Sequence, residues 1–437
     1  MRILPLLLPL AAIGFGQEIL TVKDAVREAL THHPSLESAG ARLKAAGARI
    51  EGAKSGMKPR VQYSEGFARS DNPVFVFGSL LTQRQFGPGN FAIDKLNRPD
   101  FVNNFQSLVT VDQAIYDGRQ TRLQVQSAQL GESMSKEERH IAELAVAANT
   151  ARAYWTLVLA DESQKSADLA MESATADLRR AEAVRAAGMS TDAEVLSVKV
   201  HVAAVREQQI RAGQDREVAR AALNESMGRP LDQALQTSSK LPFTGLPVVE
   251  SKSLRPEIEM SRLGVELART QMRTARTGWL PQVGVRGAFE ADRQRFVNRG
   301  GANWLVAATL RWNLFDGMQT RSKVNEASFH VESAEAGRKQ VVGATELAMR
   351  QARIAVKSTM ERIQVANAAV EMAQESLRIV QNRYEGGLTT VTELLRNESA
   401  LLDARTRYLR ALYDARLARL QLEYAKGTLR GDSDVLE

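Results

Sequence analysis

The chain has 437 residues, 44% hydrophobic, 25% charged and only 5% aromatic, with a net charge of +7. Its Lys and Arg are interleaved with Asp and Glu, which reads as a solvated two-sign surface in preference to a nucleic-acid footprint, and the absence of Cys excludes disulfides, cysteine metal sites and an N-terminal lipid on cysteine. No G-x-S-x-G, phosphate loop or dinucleotide fingerprint is present, and His32, His33, His140, His201 and His330 are scattered as surface or turn residues, so no catalytic, cofactor-binding or metal residue is expected.

Residues 1–16 open with Arg2, continue as an apolar run broken by Pro5 and Pro9, and end in Gly14-Phe15-Gly16. This is the pattern of a secretory signal peptide, cleaved before Gln17. Downstream, no apolar run approaches the ~18 residues a membrane helix needs. A helical stretch over 35–56 is stopped by Pro59, after which Val61, Tyr63 and Phe67 alternate with polar residues as a strand does. A loop containing Asn72 to Phe77 and Gly87-Pro88-Gly89 leads to a second alternating run, Phe105, Val109, Val111 and Ile115. Together these form a strand hairpin over about 58–116.

After Asp117-Gly118 a proline-free helical pattern runs to Ala187, a rod of about 100 Å at 1.5 Å per residue. Gly188-Met189-Ser190 break it, and a return helix runs from Thr191 to Gly228, where the glycine suits a left-handed C-terminus and the threonine an N-cap. This predicts a helical hairpin over about 119–228. Pro230, Pro242 and Pro247 mark a linker over 229–252. The same order then recurs. A helix over 257–278 is followed by a strand hairpin over about 280–315, with Val283, Val285 and Phe289 on one strand and Trp304, Val306, Leu310, Trp312 and Leu314 on the other. A helical hairpin over about 318–427 breaks at Gly387-Leu388-Thr389 and resumes at Thr390, leaving a tail over 429–437.

The recurrence is an internal duplication. Pro34, Ala46, Gly56, Pro59 and Phe67 return 222 positions later as Pro256, Ala268, Gly278, Pro281 and Phe289. From Asp117-Gly118 onward the offset is 199, returning Gly188, Thr191 and Glu194 as Gly387, Thr390 and Glu393, so the first strand hairpin carries 23 additional residues. The two repeats span 17–228 and 253–428. Ten of the 13 Phe and three of the four Trp lie between 57 and 118 or between 279 and 316. An ordinary half-buried antiparallel sheet and an aromatic girdle on a lipid-facing barrel both predict this clustering. Alanine-rich rods with charge around much of their circumference read as walls, or as a long solvated coiled coil. Four strands per chain fall short of the roughly eight that close the smallest membrane barrels, so a barrel requires several chains.

Three segments carry a family resemblance: Ala-Arg-Thr-Gly-Trp-Leu-Pro-Gln at 275–282, Leu-Phe-Asp-Gly-Met-Gln-Thr-Arg at 314–321, and Arg-Tyr-Glu-Gly-Gly-Leu-Thr-Thr-Val-Thr-Glu-Leu-Leu at 383–395. With the twice-repeated order of elements over 21–429, the chain resembles the TolC-like outer-membrane efflux and secretion channels. The resemblance implies an α+β membrane protein: a homotrimer whose 12-stranded β-barrel, facing outer-membrane lipid, continues as a long α-helical barrel. It further implies a passive exit duct without cofactor, joined through a periplasmic adaptor to an inner-membrane pump of the RND, ABC or MFS type. A periplasmic adaptor or coiled-coil structural protein is the alternative, which shares the helical hairpin and has no need of aromatic strand hairpins.

Carried over by position, the adaptor-contact tips are Gly188, Met189 and Thr191, and Gly387, Leu388 and Thr390. The periplasmic gate comprises Glu194, Tyr384, Glu393 and Arg396. Tyr384 matches the gate tyrosine, and Glu194 and Glu393 match acidic positions of the return helices. Thr389 stands where the family's best-studied channel has an arginine, and Arg396 where it has the second of two pore-lining aspartates. Arg396 follows Glu393 by three residues, a spacing that lets the two pair within the helix or between chains.

Overall fold

The computed structural model describes residues 19–238, 255–297 and 300–436. The signal peptide expected over 1–16 and most of the 229–252 linker lie outside the described residues. Among the described residues six strands form: β1 (Ile19–Leu20), β2 (Arg60–Ser70), β3 (Val102–Tyr116), β4 (Gln236–Thr237), β5 (Gln282–Arg293) and β6 (Gly301–Arg311). Among the same residues nine α-helices form: α1 (Val22–His32), α2 (Pro34–Lys54), α3 (Pro73–Thr82), α4 (Ile93–Asn97), α5 (Gln120–Ala186), α6 (Asp192–Met227), α7 (Pro256–Arg276), α8 (Gln319–Glu385) and α9 (Val391–Lys426). The twins α5 and α8 have 67 residues each, and α6 and α9 have 36 each. Among the described residues no helix is long and apolar enough to cross a membrane.

The chain divides into two compact units, and each draws on both copies of the repeat. One comprises Met1–Ala41, Glu137–Met260 and Lys339–Glu437, the other Arg42–Lys136 and Ser261–Arg338.

The second unit is built on an antiparallel sheet in the order β2-β3-β5-β6, so the two copies pair through β3 and β5. Because side chains alternate across a strand, the register assigns each residue to a face. Val61, Tyr63 and Phe67 share one face with Phe105, Val109, Val111, Phe289, Trp304, Val306 and Leu310. Val61, Tyr63, Phe67, Trp304, Val306 and Leu310 stand exposed there. The opposite face carries polar pairs between β3 and β5: Arg286 donates to Asp112 at 2.6 Å, Asn104 to Asp292 at 2.7 Å, and Gln106 to Glu290. β6 ends at Arg311, short of the Trp312 and Leu314 assigned to that strand from sequence. Trp312 instead turns its indole N–H to the Trp279 carbonyl at 3.1 Å.

Each strand hairpin passes into its long helix through the same turn. Asp117 and Asp316 accept from the backbone N–H of Thr121 and Thr320 at 2.6 and 2.9 Å, capping α5 and α8. Gly118 and Gly317, with φ of 65° and 64°, are each followed by a non-glycine residue in the same left-handed region, Arg119 at 68° and Met318 at 71°.

In the first unit, Val26, Tyr154, Trp155, Val158, Leu223, Met227 and Leu420 form the main core. The Tyr154 hydroxyl donates to the Leu20 carbonyl at 2.9 Å, tying the N-terminal segment to α5. Toward the turn between α5 and α6, the buried positions narrow to small side chains seven residues apart: Ala160, Ala167, Ala174 and Ala181 on α5, and Val198, Val205, Ala212 and Ala219 on α6. A strict seven-residue spacing is coiled-coil packing, and alanine brings the helix axes close.

Candidate gate and tip region

The two helix–helix turns of the first unit have the same local construction. At the end of α5, Gly188 adopts φ 77°, donating its N–H to the Arg185 carbonyl while Met189 donates to that of Val184. At the end of α8, Gly387 adopts φ 70°, donating to Tyr384, and Leu388 donates to Arg383. Both are glycine-terminated helix ends in which orphan carbonyls are satisfied by the following residues. The apolar residue after each glycine is left in solvent: Met189 is 75% exposed and Leu388 71%. The caps differ. Thr191 Oγ1 accepts from Glu194 N at 3.3 Å, whereas the side chain of Thr390, in the same extended conformation, makes no capping bond. The Thr390 carbonyl serves instead, accepting from Glu393 and Leu394 N–H.

Behind the tips lies an apolar cluster of Ala181, Val195, Val198 and Val391, with Tyr384 and Leu395 packed against it. Tyr384 thus bridges toward α6 and α9. Burial, and then the nearby Glu194 and Asp177 carboxylates, push its hydroxyl pKa upward. Glu194 accepts a hydrogen bond from Ser190 Oγ, and Arg180 pairs with Glu385 at 3.1 Å. Glu393 and Arg396 lie exposed on α9. The pairing within the helix that their spacing suggested does not form: among the described residues no ion pair joins them. Thr389 is half-buried in the turn.

One constellation escaped sequence reasoning. Asp177 on α5, His201 on α6 and Glu398 on α9 converge, although they come from three distant segments. His201 Nε2 lies 3.3 Å from a Glu398 carboxylate oxygen, with only 14% of the His201 side chain exposed, so His201 is not the free surface histidine expected. Ser173 Oγ donates to Glu398 at 2.9 Å. Asp177 is 6% exposed, and its Oδ2 has no hydrogen-bond partner. Burial, and then the Glu398 carboxylate, push the Asp177 pKa up to about 7. Burial works in the same direction on Glu398, but hydrogen bonds from His201, Asp177 and Ser173 outweigh it and hold Glu398 low. The two carboxyls therefore titrate as one coupled pair, with burial favouring the neutral form of Asp177 and hydrogen bonds favouring the charged form of Glu398. The cluster joins both helices of the first hairpin to the return helix of the second. Among the described residues no group of three or more His, Asp or Glu is arranged to hold a metal ion.

A sheet with one polar and one apolar exposed face, joined to two helical hairpins with matched tips, defines a TolC-like outer-membrane channel protein. The chain belongs to the outer membrane efflux protein family, whose model matches residues 25–229 and 248–428. It is 26% identical to protein CyaE of Bordetella pertussis, across 94% of this chain and 86% of that protein. Against the pyoverdine export outer membrane protein OpmQ of Pseudomonas aeruginosa the identity is 24%, across 91% and 82%. The fold matches the CmeC outer membrane channel of Campylobacter jejuni with a TM-score of 0.78 at 17% identity, covering 100% of this chain and 95% of that one. Family and fold are those of channels, not of enzymes.

Proposed function

We propose that the protein is the passive outer-membrane exit duct of a tripartite efflux or type I secretion system, working as a homotrimer. The observation that carries this reading is the four-stranded sheet whose outer strands, β2 and β6, each have an unpaired edge. Unpaired strand edges cannot face lipid, so the sheet must close with other copies. Three chains give the 12-stranded barrel of the family, with the Phe289 and Trp304 face toward lipid and the Asp112 and Arg286 face toward water. The aromatic clustering is then a lipid-facing girdle, which the exposed apolar face supports.

In this reading the paired helical hairpins of three chains form the helical barrel, and the tips at Gly188, Met189 and Thr191 and at Gly387, Leu388 and Thr390 meet a periplasmic adaptor coupled to a pump of the RND, ABC or MFS type. Glu194, Tyr384, Glu393 and Arg396 form the gate at that end. Residues 1–16 direct export, and the mature chain carries no lipid.

Membrane fractionation with native mass measurement tests the proposal. A trimer in the outer-membrane fraction that needs detergent for extraction is expected, and a soluble monomer in the periplasmic fraction overturns it.

A further inference from the structure

The polar face of the sheet carries an addition that the second copy of the repeat lacks. β5 and β6 are joined by the short segment 294–300, whereas the chain between β2 and β3 folds into α3, a turn over Pro88–Phe91, and α4. Asn72 caps α3, its Oδ1 accepting from Val74 N at 3.0 Å and Phe75 N at 3.2 Å, and Pro73 occupies the first helical position. Phe77, Phe86 and Phe91 stack edge to face at 4.8 and 5.1 Å, holding the segment together.

The C-terminal end of α3 is fixed to the polar face at several points. Gln83, only 2% exposed, donates from Nε2 to the Asn103 carbonyl at 3.0 Å and to Asn104 Oδ1 at 2.9 Å. Asn104 in turn donates to Asp292. Arg84 reaches across the sheet and donates to the Ala302 carbonyl on β6 at 3.0 Å. Gly301 is opposite Asp292 in the register, and a Cβ there would stand 1.7 Å from the Thr82 carbonyl oxygen, so α3 lies directly on the strand. Among the described residues Arg84 is also one of three non-glycine residues with positive φ, at 57°, a conformation that a bulky residue keeps only when its surroundings hold it there. The turn is secured by the guanidinium bond on its far side. The segment also presents apolar side chains to solvent, with Val74 82% and Ile93 74% exposed.

We propose that residues 72–101 form a fixed constriction at the hairpin-loop end of the channel, setting the size of solute that passes between the lumen and the exterior. The proposal rests on the reading that the polar face lines a water-filled lumen. All the bonds from Gln83 and Arg84 go to that face or to the strand backbones, so the segment crosses the lumen side of the wall. Repeated around a trimer axis, exposed apolar residues such as Val74 and Ile93 narrow the opening and hold water poorly, as hydrophobic constrictions in channels do.

The natural absence of cysteine provides a clean test. Thr110→Cys places a single thiol on the polar face of β3, and Val109→Cys places one on the apolar face. Labelling from outside intact cells is measured with a small charged maleimide and with polyethylene-glycol maleimides of increasing size. Thr110→Cys should react with the small reagent and exclude the large ones. Replacing residues 72–100 with a two-residue Asn-Gly turn should raise its rate with the large reagents roughly tenfold and leave the small-reagent rate unchanged. Gln83→Ala combined with Arg84→Ala, which keeps the chain length, should produce a smaller rise in the same direction. Equal size dependence with and without the segment, or with and without its Gln83 and Arg84 bonds, overturns the constriction. A Thr110→Cys thiol that even the small reagent cannot reach, in both proteins, overturns the lumen reading itself.

Discussion

Gly278 approaches Thr320 so closely that a Cβ on the glycine would stand 2.6 Å from the threonine Oγ1, and Gly56 repeats the relationship with Thr121 at 2.5 Å. The glycines are related by the first offset of the duplication and the threonines by the second, so the contact is kept although the loop between its partners differs in length. It sets the first turn of each long helix against the end of the helix that precedes each strand hairpin. Gly278→Ala should destabilise the protein by about 1–3 kcal/mol through overpacking. Thr320→Ala, which removes the two closest atoms, should recover part of that loss in a double-mutant cycle read by thermal unfolding in detergent.

A second prediction concerns protons. The Asp177 pKa of about 7 in the fold exceeds the roughly 3.9 of an unfolded aspartate. The folded state therefore binds more protons between these values, stability falls as pH rises through that window, and the loss is complete above it. Asp177→Asn removes the charge and keeps a donor toward Glu398. The variant should match the parent near pH 4 and exceed it by about 1–2 kcal/mol at pH 8. A difference that does not change with pH would place the proton elsewhere.

Met189 and Leu388 stand exposed at the two tips, where nothing in the chain itself calls for an apolar side chain. Met189→Asp and Leu388→Asp should leave trimer yield and melting temperature unchanged, because neither residue is packed, and should abolish adaptor-dependent efflux. Unaltered drug or substrate sensitivity in both variants would remove the tips from the adaptor contact.

If the proposed trimer brings three copies of Arg396 near its three-fold axis, they repel unless Glu393 or Glu194 carboxylates neutralise them. Arg396→Asp should then raise leak conductance and shift the pore toward cation selectivity in planar-bilayer recordings. Conductance and selectivity identical to the parent's would put Arg396 outside the pore.

The strands and long helices were legible in the sequence because each has a periodicity imposed by a single environment. Tyr63 and Phe67 alternate with polar neighbours since one face of β2 is apolar and the other polar. Gly188 and Gly387 mark helix ends because their left-handed conformation favours a residue without Cβ. The heptad of Ala160, Ala167, Ala174 and Ala181 was obscured by further alanines around α5, which carry the same letter on other faces. The segment after Asn72 read as a loop from its Asn, Gly and Pro, yet those residues cap and start α3. Asp177, His201 and Glu398 left no local signal at all. Their meeting depends on how α5, α6 and α9 pack, and no spacing within one segment encodes it.

The open edges of β2 and β6 also govern the life of the chain before it reaches its final state. Edge strands in soluble proteins are commonly blunted by lysine, proline or a bulge, whereas β6 runs Gly-Ala-Asn-Trp-Leu-Val-Ala-Ala-Thr-Leu-Arg with no lysine or proline. A single copy therefore offers unpaired backbone along two sides, each able to pair with another strand. In the proposed trimer, correct closure would then compete with mispairing between edges, a competition that sharpens as subunit concentration rises. The same edges that would seal a closed barrel would leave a solitary subunit its most vulnerable form.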